Sequence, residues 1–355
     1  MPFRNYSQVR FLPYPVGRLG ALVAENVGTY NLIVSDKAPE AFRDRLAFIK
    51  KVIDKFRPNV FMTEDFPFAR EFWSFEVPYI IKYLKNGFAC RIVGSSGYLG
   101  WIDNMHEYIK ELYDLLLIHS PWELSQNYQD YFSKRAVGDL RRVLSDYAHK
   151  IHFTGFIMDR IPLGNVKKIK AKYLDSKHKY LILVSRGGGV FSKKLILCSL
   201  LLAQKNKDLF FIISCGPATP EEEFNEYKIF AKNIKNIELY KFIPPSCFET
   251  YLRAADASIN LAGYNTLARL LYYQKKTVLI PYDTQEQRWR ADSVAKFLVS
   301  RVIKEKDLNT HLLEKALREL LKDSRKAHQF DRRLLCGISN TGKILASFFK
   351  KNDIL

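Results

Sequence analysis

Residues Leu261 to Ala291 read LAGYNTLARLLYYQKKTVLIPYDTQEQRWRA. The apolar run Ala257 to Leu261 predicts a strand. The small-residue turn Ala262-Gly263 after it opens into a helix at Asn265-Thr266. A strand–glycine–helix layout presents unpaired helix N–H groups, and the helix dipole favours an anion there. A second strand, Lys276 to Pro281, ends in Asp283 and the polar pair Glu286-Gln287, where another helix begins. Two neighbouring strand ends bring phosphate donors and hydroxyl-binding groups to one crevice, an arrangement suited to a nucleotide-sugar.

Outward from this stretch the same alternation recurs. Expected strands are Val9 to Leu12, Asn31 to Val34, Asn59 to Thr63, Cys90 to Gly94, Asp114 to His119 and Ile151 to Gly155. After the polar, lysine-rich Pro162 to His178 a second series follows: Tyr180 to Ser185, Leu209 to Cys215, Ile237 to Phe242, Ala257 to Leu261, Thr277 to Pro281 and Arg301 to Ile303. Helical periods between the strands predict an α/β chain with two doubly wound parallel sheets. The expected domains are 1–162 and 163–330, with 331–355 as a C-terminal segment. A chain of 355 residues suits two domains.

Net charge narrows the partners. Residues 1–160 hold 21 Lys+Arg against 18 Asp+Glu, and residues 161–355 hold 35 against 19, so the excess of +16 sits in the second half. That excess fits a diphosphate ligand, nucleic acid, a membrane surface or simply solvated lysines. No recognised nucleic-acid module is present, so nucleic acid is not expected as a partner. No apolar run approaches the ~20 residues of a membrane span, and the opening residues hold no apolar core of signal-peptide length, so neither segment is expected. Peripheral membrane contact stays open, as does the oligomeric state. Five scattered cysteines without a CxxC pair read as buried free thiols of a cytoplasmic protein.

Further candidate site residues lie at strand ends. Ser185-Arg186-Gly187-Gly188-Gly189 closes the first strand of the second series and leads into an expected helix at Phe191, and its glycines let backbone approach a ligand. It does not fit GxGxxG, so no dinucleotide cofactor is expected, and no DxD-type pair calls for a metal. Gly216 follows the next strand, and Phe242-Ile243 ends the one after. In the first half, Glu64, Asp65 and His119 sit at strand C-termini, where a general base could stand. A helix cap or loop anchor is the plainer reading for such a carboxylate.

The motifs also carry a resemblance. Ala262-Gly263-Tyr264-Asn265-Thr266 and Glu286-Gln287-Arg288-Trp289-Arg290-Ala291, in this order and spacing, resemble the GGYNT and EQ-x-x-RA motifs of a bacterial branch of the family 28 type of GT-B glycosyltransferases. In the first half, Thr63-Glu64-Asp65-Phe66-Pro67-Phe68-Ala69-Arg70 resembles that branch's TE-x-FPFGR, and Phe153-Thr154-Gly155-Phe156 its YTGY strand. The resemblance implies two Rossmann-like domains facing a cleft and metal-independent, inverting transfer from a nucleotide-diphosphate-sugar, UDP-linked by analogy, to an unknown acceptor. It implies that Ser185, Gly187, Gly188, Gly189, Gly216, Gly263, Tyr264, Asn265 and Thr266 surround the donor, that Phe242 and Ile243 bracket its base, and that Glu286 and Gln287 hold its sugar. It further implies that the helix Ser339 to Lys350 crosses back to the first domain.

Three departures stand against it. The family's opening GxGH loop has no counterpart in the first forty residues, which implies a shortened N-terminal domain. Ser95-Ser96-Gly97-Tyr98 replaces its Ser-x-Arg-Asp. Arg269 stands where relatives carry the Glu that grips the ribose, a loss worth about 1.5–3 kcal/mol. Two other classes therefore remain: a non-catalytic nucleotide-sugar-binding partner, and a nucleotide-sugar epimerase.

Overall fold

The computed structural model describes residues 37–64, 76–97, 105–124, 141–159, 161, 164–188, 191–282, 284–325 and 330–354. The expected strands Val9 to Leu12 and Asn31 to Val34, and the site candidates Asp65 and Gly189, lie outside the described residues, as does Asp283. The chain divides into two compact units. One takes Met1–Ser120, Lys134–Thr154 and Ser339–Leu355; the other takes Pro121–Ser133 and Gly155–Ile338.

In the first unit, α1 (Lys37–Phe56), β1 (Val60–Glu64), α2 (Glu76–Gly87), β2 (Arg91–Ser96), α3 (Met105–Glu111), β3 (Leu115–Ile118) and β4 (Ile151–Phe153) follow one another. The four strands form a parallel sheet in the order β1-β2-β3-β4. Val93, Leu115 and Leu117 form a core against which Ile344, Leu345 and Phe348 of the last helix pack.

The second unit runs α4 (Val166–Tyr173), β5 (Tyr180–Ser185), α5 (Lys193–Lys205), β6 (Leu209–Ser214), α6 (Glu221–Ala231), β7 (Ile237–Tyr240), α7 (Pro245–Ala254), β8 (Ala257–Leu261), α8 (Tyr264–Tyr273), β9 (Thr277–Ile280), α9 (Gln285–Ala295), β10 (Ser300–Val302) and α10 (Thr310–Lys322). The last helix, α11 (Gly337–Lys351), starts here and runs into the residues of the first unit. The six strands are all parallel, in the order β10-β9-β8-β5-β6-β7.

This order follows from burial on both faces. Along β5, Ile182 and Val184 enter a core shared with α5 and α10, while Leu181 and Leu183 enter another shared with α7, α8 and α9. A strand buried on both faces reads as a continuous apolar run, and its helices must lie on both sides. The first three strands wind one way from β5 and the next three wind the other way. The reversal between β5 and β8 is the switch point at which open α/β sheets bind ligands.

Most expected strands lie within one or two residues of the observed ones. Two other expectations need correction. The glycine turn after β5 does not enter a helix at Phe191: Ser192 takes a left-handed conformation, φ 60°, and α5 begins at Lys193. The five cysteines are free but not all buried, for Cys247 is exposed and Cys336 half-buried.

Candidate donor site at the switch point

Register puts the two glycine turns side by side. Ser185 at the end of β5 pairs with Asn260 of β8, one residue before Leu261. Ser185-Arg186-Gly187-Gly188 and Ala262-Gly263 therefore leave adjacent strands at the same sheet edge.

Gly263 caps α8 with φ −78° and ψ 150°, and no side chain caps this end. Among the described residues, a Cβ built on it meets nothing within 4 Å. The first-turn N–H groups of Tyr264, Asn265 and Thr266 have no intrahelical acceptor by helix geometry. Asn265 is exposed and Thr266 is buried. The Tyr264 side chain turns away from this end: its hydroxyl accepts from Ile157 N at 2.8 Å, and its ring lies 5.1 Å from that of Phe156. What Tyr264 offers a ligand is backbone.

The turn after β5 is held from beneath by Arg186, whose role the turn's own sequence does not announce. Arg186 is fully buried. Its Nε donates to the Cys215 carbonyl at 2.9 Å and Nη2 to Thr219 Oγ1 at 2.6 Å, while Nη1 reaches the Glu223 carboxylate and the Tyr227 hydroxyl. Glu223 also meets Lys193 Nζ at 3.1 Å. Burial pushes the Glu223 carboxyl up, but hydrogen bonds from Tyr227, Arg186 and Lys193 outweigh it and hold the group below its usual range. This guanidinium fastens the turn after β5 to the turn after β6. A backbone bond from Ala218 N to the Gly188 carbonyl at 3.0 Å adds to it. Gly187 (φ 64°) and Gly216 (φ 99°) occupy the left-handed region that these turns require.

Two aromatic rings join the turns on the other side. Phe191 stacks on Tyr282 with centroids 4.4 Å apart, linking the segment after β5 to the one after β9. Next to Phe191, the buried Ser192 Oγ has no hydrogen-bond partner among the described residues. Gln287 is oriented by its own neighbourhood: Oε1 accepts from Tyr282 N at 3.0 Å, and its backbone N–H donates to the α9 cap Thr284 at 3.3 Å. Glu286 pairs with Arg290 at 2.5 Å one turn on.

At the edge of the sheet, Phe242 is half exposed, while the Ile243 side chain belongs to the core. Arg269 does not face solvent. Its guanidinium pairs with the buried Glu249 of α7, and Nη1 donates to the Asn265 carbonyl at 3.0 Å. Nothing in the local sequence marks this partner, twenty residues away on another helix.

The first-unit candidates share the C-terminal edge of their own sheet. Glu64 ends β1 opposite Ser95 of β2, and His119 N donates to the Ser96 carbonyl at 2.7 Å. His119 Nδ1 lies 2.8 Å from Thr154 Oγ1, and burial pushes its pKa down to about 4. The imidazole is thus neutral at neutral pH and a weak proton acceptor. Among the described residues, no group of three or more His, Cys, Asp or Glu gathers as a metal site, and no helix is long and apolar enough to cross a membrane.

A switch-point crevice with an uncapped helix N-terminus is common to many α/β proteins; similarity over most of the second unit narrows the choice. Residues 181–335 match the model of the glycosyltransferase family 28 C-terminal domain. That stretch is similar to a family 28 C-terminal domain. A UDP-N-acetylglucosamine--N-acetylmuramyl-(pentapeptide) pyrophosphoryl-undecaprenol N-acetylglucosamine transferase of Clostridium perfringens is 30% identical over 161 residues, 44% of this chain and 43% of that protein. The match thus spans less than half of the relative's length. Two solved structures extend the likeness of fold. MurG of Acinetobacter baumannii superposes with a TM-score of 0.54 at 13% identity, over 97% of this chain and 91% of that one. The UDP co-structure of S. aureus MnaA gives 0.57 at 14% identity, over 89% and 82%. The fold is GT-B-like, and the stretch similar to the family 28 domain carries β5 to β10.

Proposed function

We propose that this protein is a glycosyltransferase that takes a sugar from a nucleotide-diphosphate-sugar, UDP-linked by analogy with its relatives, and passes it to an acceptor without a metal ion. The observation that carries the reading is the pairing of the open N-terminus of α8 at Gly263 with the Arg186-anchored glycine turn at the switch point. Together they offer backbone N–H groups and a helix dipole to the diphosphate. Leaving-group charge develops on that diphosphate as the glycosidic bond breaks, so pre-aimed donors stabilise the transition state more than the ground state. The orphaned Ser192 hydroxyl is the kind of buried polar group that a ligand oxygen satisfies.

Gln287 supports a sugar subsite. Its Oε1 is committed to Tyr282 N, which fixes the side chain and turns the amide NH₂ into an oriented donor for a hydroxyl. Ile243 and Phe242 stand for the base, Glu286 for a sugar hydroxyl, and Glu64 with Asp65 for acceptor activation. His119, held neutral with its pKa pushed down to about 4, is a weak base. The relatives' lipid-linked acceptor makes a lipid-linked acceptor at a membrane surface the first choice here.

One observation favours a second reading, a nucleotide-sugar-binding partner without turnover: Arg269 is closed onto Glu249 where relatives present a ribose-gripping carboxylate. Incubation with radiolabelled UDP-N-acetylglucosamine, UDP-glucose and UDP-galactose, each with a bacterial lipid extract and with EDTA, separates the readings. Label in the lipid fraction that survives EDTA supports the transferase. Binding without turnover supports the partner, and sugar conversion without acceptor points to an epimerase.

A further inference from the structure

The second unit contains a cavity of about 420 Å³ away from the switch point. It lies against the C-terminal ends of α7 and α8, the ends that feed β8 and β9, whereas the donor crevice lies at the opposite ends of those strands. Arg253, Lys275 and Arg332 line it together with Asp159, Glu249 and Tyr272.

Its cations are arranged rather than scattered. Lys275 Nζ is held by the Ala255 carbonyl at 2.6 Å and the Arg253 carbonyl at 3.2 Å, so its ammonium closes α7 and keeps a fixed position. Arg332 lies over the Tyr272 ring at 5.6 Å, which orients its guanidinium plane. Arg253 is exposed and has no carboxylate partner among the described residues. Glu249 is neutralised by Arg269, so the lining carries three cations against the single uncompensated carboxylate of Asp159. Such a surface collects a dianion, and guanidinium forks match phosphate oxygens.

The acceptors in the same wall select more than bare phosphate. Glu249, Asp159 and the tyrosine hydroxyls can accept from or donate to hydroxyl groups, and the cavity is of the size that small-molecule sites take. We propose that this cavity binds a small sugar phosphate, its phosphate on Arg253, Lys275 and Arg332 and its hydroxyls on Asp159 and Glu249. The site is separate from the donor crevice, and its occupancy does not depend on the reading of that crevice.

Calorimetric titration of the full chain with glucose 6-phosphate, ribose 5-phosphate and inorganic phosphate tests it. At least one sugar phosphate is expected to bind about tenfold more tightly than inorganic phosphate. Arg253→Ala and Arg332→Ala, both at exposed positions, are each expected to weaken it about tenfold or more. Gly263→Val, which alters only the donor crevice, is expected to leave it unchanged. The proposal is overturned if neither sugar phosphate binds at about 1 mM, if both arginine variants bind as the parent does, or if Gly263→Val abolishes the binding.

Discussion

Removing the guanidinium beneath the glycine turn is expected to damage the second unit out of proportion to one side chain. In Arg186→Met the aliphatic stem is replaced by a chain of similar length, but the Cys215 carbonyl, Thr219 Oγ1 and the Glu223 carboxylate all lose a donor. Glu223 keeps Tyr227 at 2.7 Å and Lys193 at 3.1 Å, yet Lys193 is largely exposed and the carboxylate itself is buried. Breaking a buried pair from one side typically costs about 3–5 kcal/mol, because the remaining charge is stranded. Retention of Tyr227 and Lys193 argues for the lower part of that range. Urea denaturation measures it. The double variant Arg186→Met/Glu223→Gln, which removes the stranded charge, is expected to recover about 1–2 kcal/mol. Since the folded pKa of Glu223 is depressed, its contribution is present above the unfolded carboxylate pKa of about 4.3 and is lost as pH falls through the folded value. A loss below about 1 kcal/mol for Arg186→Met, or no recovery in the double variant, would refute the anchoring role.

Three other outcomes follow from the same contacts. Gln287→Ala is expected to weaken nucleotide-sugar binding while leaving the free nucleoside diphosphate nearly unaffected; equal loss for both, read by calorimetry, would mean that the side chain serves only Tyr282 N. For His119, the folded pKa of about 4 lies below the unfolded value near 6.5, so the unfolded state binds more protons between them and stability falls as pH drops through that window. The loss is about 1–3 kcal/mol, and His119→Asn should flatten it in denaturation curves taken at neutral and acid pH. Arg269→Glu sets two carboxylates together at Glu249 and is expected to destabilise by about 3 kcal/mol or more; only with Glu249→Gln does the swap report on ribose binding, and a stable single variant would contradict the pair.

Local pattern carried most of the fold. β5 and β6 are apolar runs bounded by turns, and their burial on both faces makes the helices on either side obligatory. The glycine turns at Gly187 and Gly263 were legible for the same reason: backbone that must turn at a strand end needs small residues. Side-chain partners across the sheet were not. Arg186 in a glycine loop reads like a ligand contact, because nothing next to it announces Glu223, Tyr227 and Thr219 on the following turn and helix. Arg269 reads like a solvated cation until α7 brings Glu249 against it. Ser192 shows a subtler limit, since a left-handed serine carries no sequence mark and delays the helix to Lys193.

The central claim is that the open end of α8 holds a diphosphate, and calorimetric titration of UDP, GDP, ADP and TDP into the parent and Gly263→Val tests it most directly. Gly263 has an ordinary backbone conformation and open space about its Cβ direction, so valine costs the fold little beyond a poorer helix cap, about 1 kcal/mol. The account predicts that the parent binds at least one of these nucleotides and that Gly263→Val, still folded by circular dichroism, loses the binding because the branched side chain fills the space the phosphates need. Absence of binding to all four at about 1 mM, or undiminished binding by Gly263→Val, would contradict it.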